Sequence, residues 1–205
     1  MQAEANAQTT TARSDGPNYP TDIPALQMRP PFIVGFCGEP GCGKSEAAMA
    51  MERIFGCLQI DDGWPMRDFA IRHLGATVLD VTTQAGKAGT TTFAGRTMTW
   101  REVLGNVGNA LEGAIHPHVI PIMALAKCQP NGRYTLSSVR RDQGAVVRAA
   151  GGYVVEIVRP GTPQSPHEFD RYDRSYVDFR VINDGSKQQL ESDLRYIFGR
   201  IISPL

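Results

Sequence analysis

Apolar positions along the chain alternate between short continuous runs and stretches with helical spacing. The run Pro31-Phe32-Ile33-Val34-Gly35-Phe36-Cys37 has the length and composition of a buried strand. Residues 46–55 are rich in helix formers and close at Gly56, a suitable residue just past a helix end. Cys57 to Asp61 reads as a second strand. Trp64 to Leu74 reads as a helix with Pro65 in its first turn, Phe69 and Leu74 toward the core, and Gly75 as its stop. Ala76 to Val81 is an apolar run that suits either element. Residues 82–98 are rich in Thr and Gly, carry Lys87 and Arg96, and read as a mobile loop. Thr99 with Glu102 forms a capping box, followed by Trp100, Val103, Leu104, Val107 and Leu111 at helical spacing.

A further helix is expected over Pro117 to Cys128, with Pro121 in its first turn. Tyr134 to Val139 reads as a strand, Gln143 to Ala150 as a helix closed by Gly151-Gly152, and Tyr153 to Val158 as a β-branched strand. A long loop over 159–175 precedes a strand over Tyr176 to Ile182. Asn183-Asp184-Gly185 then turns into a helix capped by Ser186 and carrying Leu190, Leu194, Ile197 and Phe198. Strands that alternate with helices predict an α/β fold with a mainly parallel sheet in three layers. Residues 1–28 are polar and without period, and read as a disordered or flexible tail before a domain over 29–205. No internal repeat is visible.

Charge narrows the partners. The chain has 205 residues, 21 basic and 21 acidic side chains, and no net charge. That balance argues against a general binder of polymeric nucleic acid, while leaving room for a local basic pocket. Four cysteines (Cys37, Cys42, Cys57, Cys128) show neither C-x-x-C nor metal-ligand spacing, which suits reduced thiols. No stretch approaches the ~18 apolar residues of a membrane span, and Met1 to Asn6 lacks the features of a signal peptide. A cytoplasmic protein with no membrane partner is expected.

The chemistry concentrates in Gly38-Glu39-Pro40-Gly41-Cys42-Gly43-Lys44-Ser45, which fits G-x-x-x-x-G-K-[ST] between an expected strand and helix. Glycines let successive N–H groups face inward as an anion nest, and the helix adds positive charge at its N-terminus. This predicts ATP held by Gly38, Gly41, Cys42, Gly43, Lys44, Ser45 and Glu46, with Lys44 at the β- and γ-phosphates and Ser45 as the Mg²⁺ ligand. The bland alternative, a glycine turn that binds nothing, ignores both flanks. An N-K-x-D guanine signature is absent, which argues against a GTPase.

Downstream, Ser138-Val139-Arg140-Arg141 ends a strand, where open α/β sheets bind ligands. With Gly151 to Pro160, the charged loop to Arg174 and Asp178 to Ser186, the order resembles the phage-type deoxynucleoside monophosphate kinases of the P-loop nucleoside monophosphate kinase class. Thr99-x-Arg101-x-Val103-Leu104-x-x-Val107-Gly108 is similar to that family's T-x-R-x-x-L-Q-x-x-G helix. The resemblance spans roughly residues 31–200, and outside the phosphate loop its weight lies in the order and spacing of short motifs. It implies a core, an acceptor-binding helical insertion over about 62–115, and a lid over about 159–175. It also implies transfer from ATP to a (deoxy)nucleoside monophosphate, small nucleotides as partners, and host cytoplasm if the source is viral. A homodimer stays open. Asp62, Arg67, Trp100, Arg101 and Arg140 would bind the acceptor. Arg140, Arg171 and Arg174 would join Lys44 at the transferring phosphoryl group. Asn183 and Gly185 would lie beside the donor's adenine.

The family pattern D-V-R-x-x-N-E is matched here by Ser138-Val139-Arg140-Arg141-Asp142-Gln143-Gly144, so Ser replaces the strand-end Asp and Gly the Glu. Asp61, Asp62 or Asp142 would have to supply the missing carboxylate. A nucleotide-binding protein without transfer, and a P-loop kinase for another small acceptor, are the alternatives. Asp62-Gly63-Trp64-Pro65 is similar to the D-G-F-P-R turn of adenylate kinases but arrives too early in the strand order. Asp62 also suits a plain helix N-cap. His116-Pro117-His118 lacks the partners of a metal site. Adjacent Arg140 and Arg141 should point to opposite sides, with Arg140 toward the phosphates. Trp64 and Trp100 suit a core or pocket wall better than a stacking platform. Arg171, Arg174 and His167-Glu168 suit a solvated loop as well as a lid.

Overall fold

The computed structural model describes residues 29–199 and 201–202; the expected tail over 1–28 lies outside the described residues. The sheet contains β1 (Phe32–Cys37), β2 (Leu58–Ile60), β5 (Arg133–Leu136), β6 (Tyr153–Val158) and β7 (Phe179–Ile182), in the order β2-β5-β1-β6-β7. Every pairing in it is parallel, with Val34 opposite both Thr135 and Tyr153. β1 is central and buried on both faces, which is why its sequence is a continuous apolar run.

Side-chain alternation on β1 divides the core in two. Val34 and Phe36 face α1 (Lys44–Phe55) and α8 (Lys187–Phe198), where they meet Ala47, Met51, Leu194 and Phe198. Ile33 and Cys37 face the opposite layer, with Leu136, Val147 of α7 (Gln143–Ala149) and Ala124 of α6 (Val119–Leu125). The result is a three-layer α/β fold. Phe198 is fully buried, with the rings of Phe32, Tyr153 and Phe179 at 5.8, 6.0 and 5.8 Å around it, so the last helix is pinned to the sheet by aromatic contact.

A separate lobe stands beside the sheet. It comprises α2 (Trp64–Leu74), α3 (Val78–Thr82), α4 (Gln84–Ala88), the antiparallel hairpin β3 (Thr90–Phe93) and β4 (Arg96–Thr99), and α5 (Trp100–Ala114). Its core is Ala70, Ala76, Val81, Trp100 and Val103. Two expectations are corrected here and one open element is decided. α2 buries Met66 and Ala70, while Phe69 is 43% exposed and lies against His73. The run after Gly75, which suited either element, is a helix, started by a capping box between Thr77 and Asp80. Residues 82–98 are ordered as α4 and the hairpin, whose turn places Ala94 and Gly95 at positive φ. Polar threonines on both faces of that hairpin hide the alternation that marks a strand. The last expected strand also starts later, because residues 174–176 form a 3₁₀ turn.

The capping box of Thr99 and Glu102, Pro65 in the first turn of α2, and the left-handed Gly56 after α1 are as expected. No helix among the described residues is long and apolar enough to cross a membrane.

Candidate active site

Strand order reverses beside β1, so the crevice at the carboxyl end of the sheet opens where β1 delivers the glycine loop. Gly43 is the N-cap of α1 with φ 110°, and no side chain caps the helix. The first-turn N–H groups are therefore left for an anion. A methyl at Gly43 would lie 2.3 Å from Asn183 Nδ2. Asn183 is buried just after β7, and its Nδ2 donates to the Cys42 carbonyl at 2.8 Å. The end of β7 thereby fixes the loop from behind. Lys44 folds across the loop, its Nζ donating to the carbonyls of Gly38 at 2.7 Å and Glu39 at 2.9 Å. Burial lowers its pKa from the usual lysine value.

A cavity of about 270 Å³ lies in front of the loop, with Gly41 and Ser45 on one wall. Its other walls carry Arg67 of α2, Lys87 of α4, Arg101 of α5 and Arg140 after β5, so with Lys44 five cations line it. Asp170, almost fully buried, is the carboxylate on its wall. It receives Arg101 at 3.3 Å and the Ser165 hydroxyl at 2.7 Å, with Arg140 at 3.9 Å. Gln84 of α4 accepts a hydrogen bond from Arg101, and Asp61 pairs with Arg67. Nothing in the sequence singles out Gln84 or Asp170, which come from an unrecognised helix and from the 3₁₀ turn over Glu168–Asp170, whose Asp170 lies 69 residues beyond Arg101 in the chain.

Arg140 and Arg141 part as adjacent residues should. Arg141 sits at φ 46°, and its guanidinium goes to Glu112 at 2.6 Å and Asn109 at 2.5 Å. Its backbone bridges to the 159–175 segment, donating to the Arg171 carbonyl and accepting from the Asp173 N–H, both at 2.6 Å. The Ser165 N–H donates to Glu39 of the glycine loop at 2.8 Å. The segment read as a lid is thus docked at both ends of the crevice.

Ser138 lies where the cation-lined cavity meets a narrow slot of about 30 Å³ that also reaches Asp62, Glu112 and Gln143. Asp62 is 6% exposed and its Oδ1 has no hydrogen-bond partner. Burial pushes its carboxyl up to about 6, against the pull of Arg140. It is not a helix cap, since Gly63 holds that position. Asp61 is taken by Arg67 and the Gly63 N–H, and Asp142 by His118 at 2.9 Å. Asp62 is therefore the unpaired one of the three carboxylates considered in place of Ser138.

Other expected residues lie elsewhere. Trp100 packs in the core of the lobe, edge-on to Phe93, and is not among the residues that line the cavity. Arg171 and Arg174 open into a different cavity, of about 450 Å³, beside Glu39, Cys42 and Arg159. Buried Glu156 of β6 draws Arg174 there, with Nε at 2.8 Å, so in this structure these arginines do not join Arg140. Glu46, Asn183 and Gly185 line a third space of about 260 Å³ next to Gly43, where Glu46 is bound to Lys187 at 2.8 Å. His116 and His118 hold no metal geometry, and among the described residues no group of three or more His, Cys, Asp or Glu side chains could. All four cysteines are free, and burial raises the Cys42 thiol.

No protein-family model and no curated protein matches the chain. Solved structures similar to it include an APS kinase of Mycobacterium tuberculosis in complex with AMPPNP and APS, at 15% identity and a TM-score of 0.41, covering 83% of this chain and 99% of that one. A shikimate kinase from Aquifex aeolicus is 11% identical with a TM-score of 0.41, covering 84% and 99%. A dephospho-CoA kinase from Campylobacter jejuni is 13% identical with a TM-score of 0.39, covering 85% and 98%.

Proposed function

We propose that the chain is an ATP- and Mg²⁺-dependent phosphotransferase whose acceptor is a (deoxy)nucleoside monophosphate. The observation that carries the reading is the cavity in front of the glycine loop, with Lys44 on one wall and Arg67, Arg101 and Arg140 on the others. An uncharged acceptor gives no use for three guanidinium groups there. An acceptor that already bears a phosphate does.

The loop fits a triphosphate. Its uncapped helix start and Lys44 face the cavity, and the two carbonyls that now hold Lys44 are weak partners that a β,γ-phosphate would outcompete. Ser45 would hold Mg²⁺, which when bound neutralises charge on the donor phosphates. Arg101 and Arg140 would hold the acceptor phosphate so that one of its oxygens faces the donor's γ-phosphorus in line. The bond from that phosphorus to the β,γ-bridging oxygen breaks as the bond to the acceptor oxygen forms, giving ADP and a nucleoside diphosphate. An ionised phosphate oxygen needs no general base. Fixed Arg and Lys charges offset the repulsion between two anions. The space beside Gly43, Asn183 and Gly185 suits the donor's adenosine.

A second reading is favoured by Asp62. A buried, unpaired carboxyl beside Arg140 suits removal of a proton from a hydroxyl acceptor. ADP release across nucleoside monophosphates and small phosphorylated or carboxylated alcohols separates the two. A monophosphate that drives turnover, lost by about two to three orders of magnitude in Lys44→Ala, supports the first. Turnover with alcohols only supports the second. Tight ATP binding with no turnover on any acceptor sinks both, and directs attention to Ser138 in place of a carboxylate.

A further inference from the structure

Helix α4 is an unusual piece of the lobe, because none of its five residues is buried. Core packing does not explain it. Yet its position is tightly set. Thr83 caps it by accepting from the Gly86 N–H at 2.9 Å. A methyl on Gly86 would lie 2.0 Å from the Leu79 carbonyl oxygen, so the backbones of α3 and α4 touch and a side chain there has no space. What this placement achieves is to turn Gln84 and Lys87, three residues apart on one helical face, into the cation-lined cavity.

We infer that Lys87 is a further acceptor-binding residue, an ammonium aimed with Arg67, Arg101 and Arg140 at an anionic group on the acceptor, with Gln84 steering Arg101. The inference rests on the phosphotransferase reading for the word acceptor, and on the cavity for the anion. The charges facing Lys87 come from every neighbouring element. They are Lys44 of the loop, Arg67 of α2 with Asp61 behind it, Arg101 of α5, Arg140 after β5, and Asp170 of the 3₁₀ turn over Glu168–Asp170. Arg67 is paired to Asp61, and Arg101 and Arg140 share Asp170. The Lys87 ammonium forms no hydrogen bond or ion pair among the described residues; the residue's one hydrogen bond is from its backbone N–H to the Thr83 carbonyl. A lysine held among like charges without a counter-ion is a vacancy for an anion.

One consequence distinguishes this role from a structural one. Burial first, and then Arg67, Arg101 and Arg140, lower the Lys87 ammonium to about 8. Its positive charge should be lost from the empty cavity as pH rises through that value, and a bound dianion should restore it. Arginine at the same position would stay charged throughout.

The test uses the full chain saturated with AMP-PNP and Mg²⁺, so that Lys44 and the loop are occupied. Sulfate is then titrated by calorimetry, because its charge is constant over the pH range used. Lys87→Ala should bind sulfate about tenfold or more weakly, the loss of one charge-assisted contact, while AMP-PNP affinity is unchanged. Lys87→Arg should retain most of the affinity. Wild-type affinity should fall as pH rises through about 8, and that of Lys87→Arg should not. Lys87→Gln repeats the comparison if the alanine variant folds poorly. Sulfate binding that is absent in the wild type, or equal in wild type, Lys87→Ala and Lys87→Gln, overturns the inference. Failure of the phosphotransferase reading looks different: sulfate binding still depends on Lys87, but no monophosphate stimulates ADP release.

Discussion

Asp62→Asn should make the protein more stable at neutral pH while damaging its site. The carboxyl is 6% exposed, one of its oxygens has no partner, and burial raises it from 3.8 to about 6. Ionising it in the folded state is therefore harder than in the unfolded chain. That rise corresponds, at about 1.36 kcal/mol per pH unit, to roughly 3 kcal/mol of destabilisation once both states are fully ionised. The sign follows from the proton count. Well below 3.8 both states are protonated and nothing is lost. Between 3.8 and about 6 the unfolded chain ionises while the folded protein keeps its proton, so stability falls as pH rises. Above about 6 the loss is complete. Asparagine removes the charge but adds a buried donor and takes a counter-charge from Arg140, so the expected net gain is about 1–3 kcal/mol. Urea unfolding of both proteins from pH 4 to 8 measures it. The variant's advantage should be near zero at the acid end, open between pH 4 and 6, and level off above. A difference that is flat with pH, or a variant that is less stable at pH 8, refutes the account of Asp62 as a strained buried acid. Under the hydroxyl-acceptor reading, turnover should fall in the same variant, as expected where an active site is held at some cost to stability.

Two further substitutions test the loop and the core. Gly43→Ala places a methyl at φ 110° and against Asn183 Nδ2, so it should cost about 1–3 kcal/mol and abolish ATP binding by calorimetry; wild-type affinity would show that the loop does not need this backbone. Phe198→Ala removes the ring at the centre of the Phe32, Tyr153 and Phe179 cluster and should lower stability by about 3–5 kcal/mol in chemical unfolding, with a loss below about 1 kcal/mol refuting its role as the anchor of α8.

Much of the three-layer core was legible because each element carried its own local signal. Tyr153–Val158 is β-branched between Gly and Pro, Thr99 and Glu102 form a capping box, and Gly56 and Gly75 stop two helices in the left-handed conformation. The lobe was less legible. α4 and the β3–β4 hairpin are short, polar and without buried faces on α4, so no period marked them. Trp100 illustrates the same limit from the other side. Its place at the start of a motif-bearing helix suggested the pocket, but only the packing of α2, α3 and α5 turns it inward.

By itself the sequence determined the proposed donor half. A glycine loop of this kind would work through backbone N–H groups and one lysine, all within eight consecutive residues, so its chemistry is encoded where it would act. The proposed acceptor half was decided by the tertiary structure. Arg67, Lys87, Arg101, Arg140 and Asp170 come from five different elements, and each alone is an ordinary surface charge in the sequence. Their meaning arises from being enclosed together, where desolvation and like-charge repulsion can be relieved only by an anion. Asp62 became distinctive for the same reason: burial left one of its carboxyl oxygens without a hydrogen-bond partner, a property no spacing of residues along the chain can express.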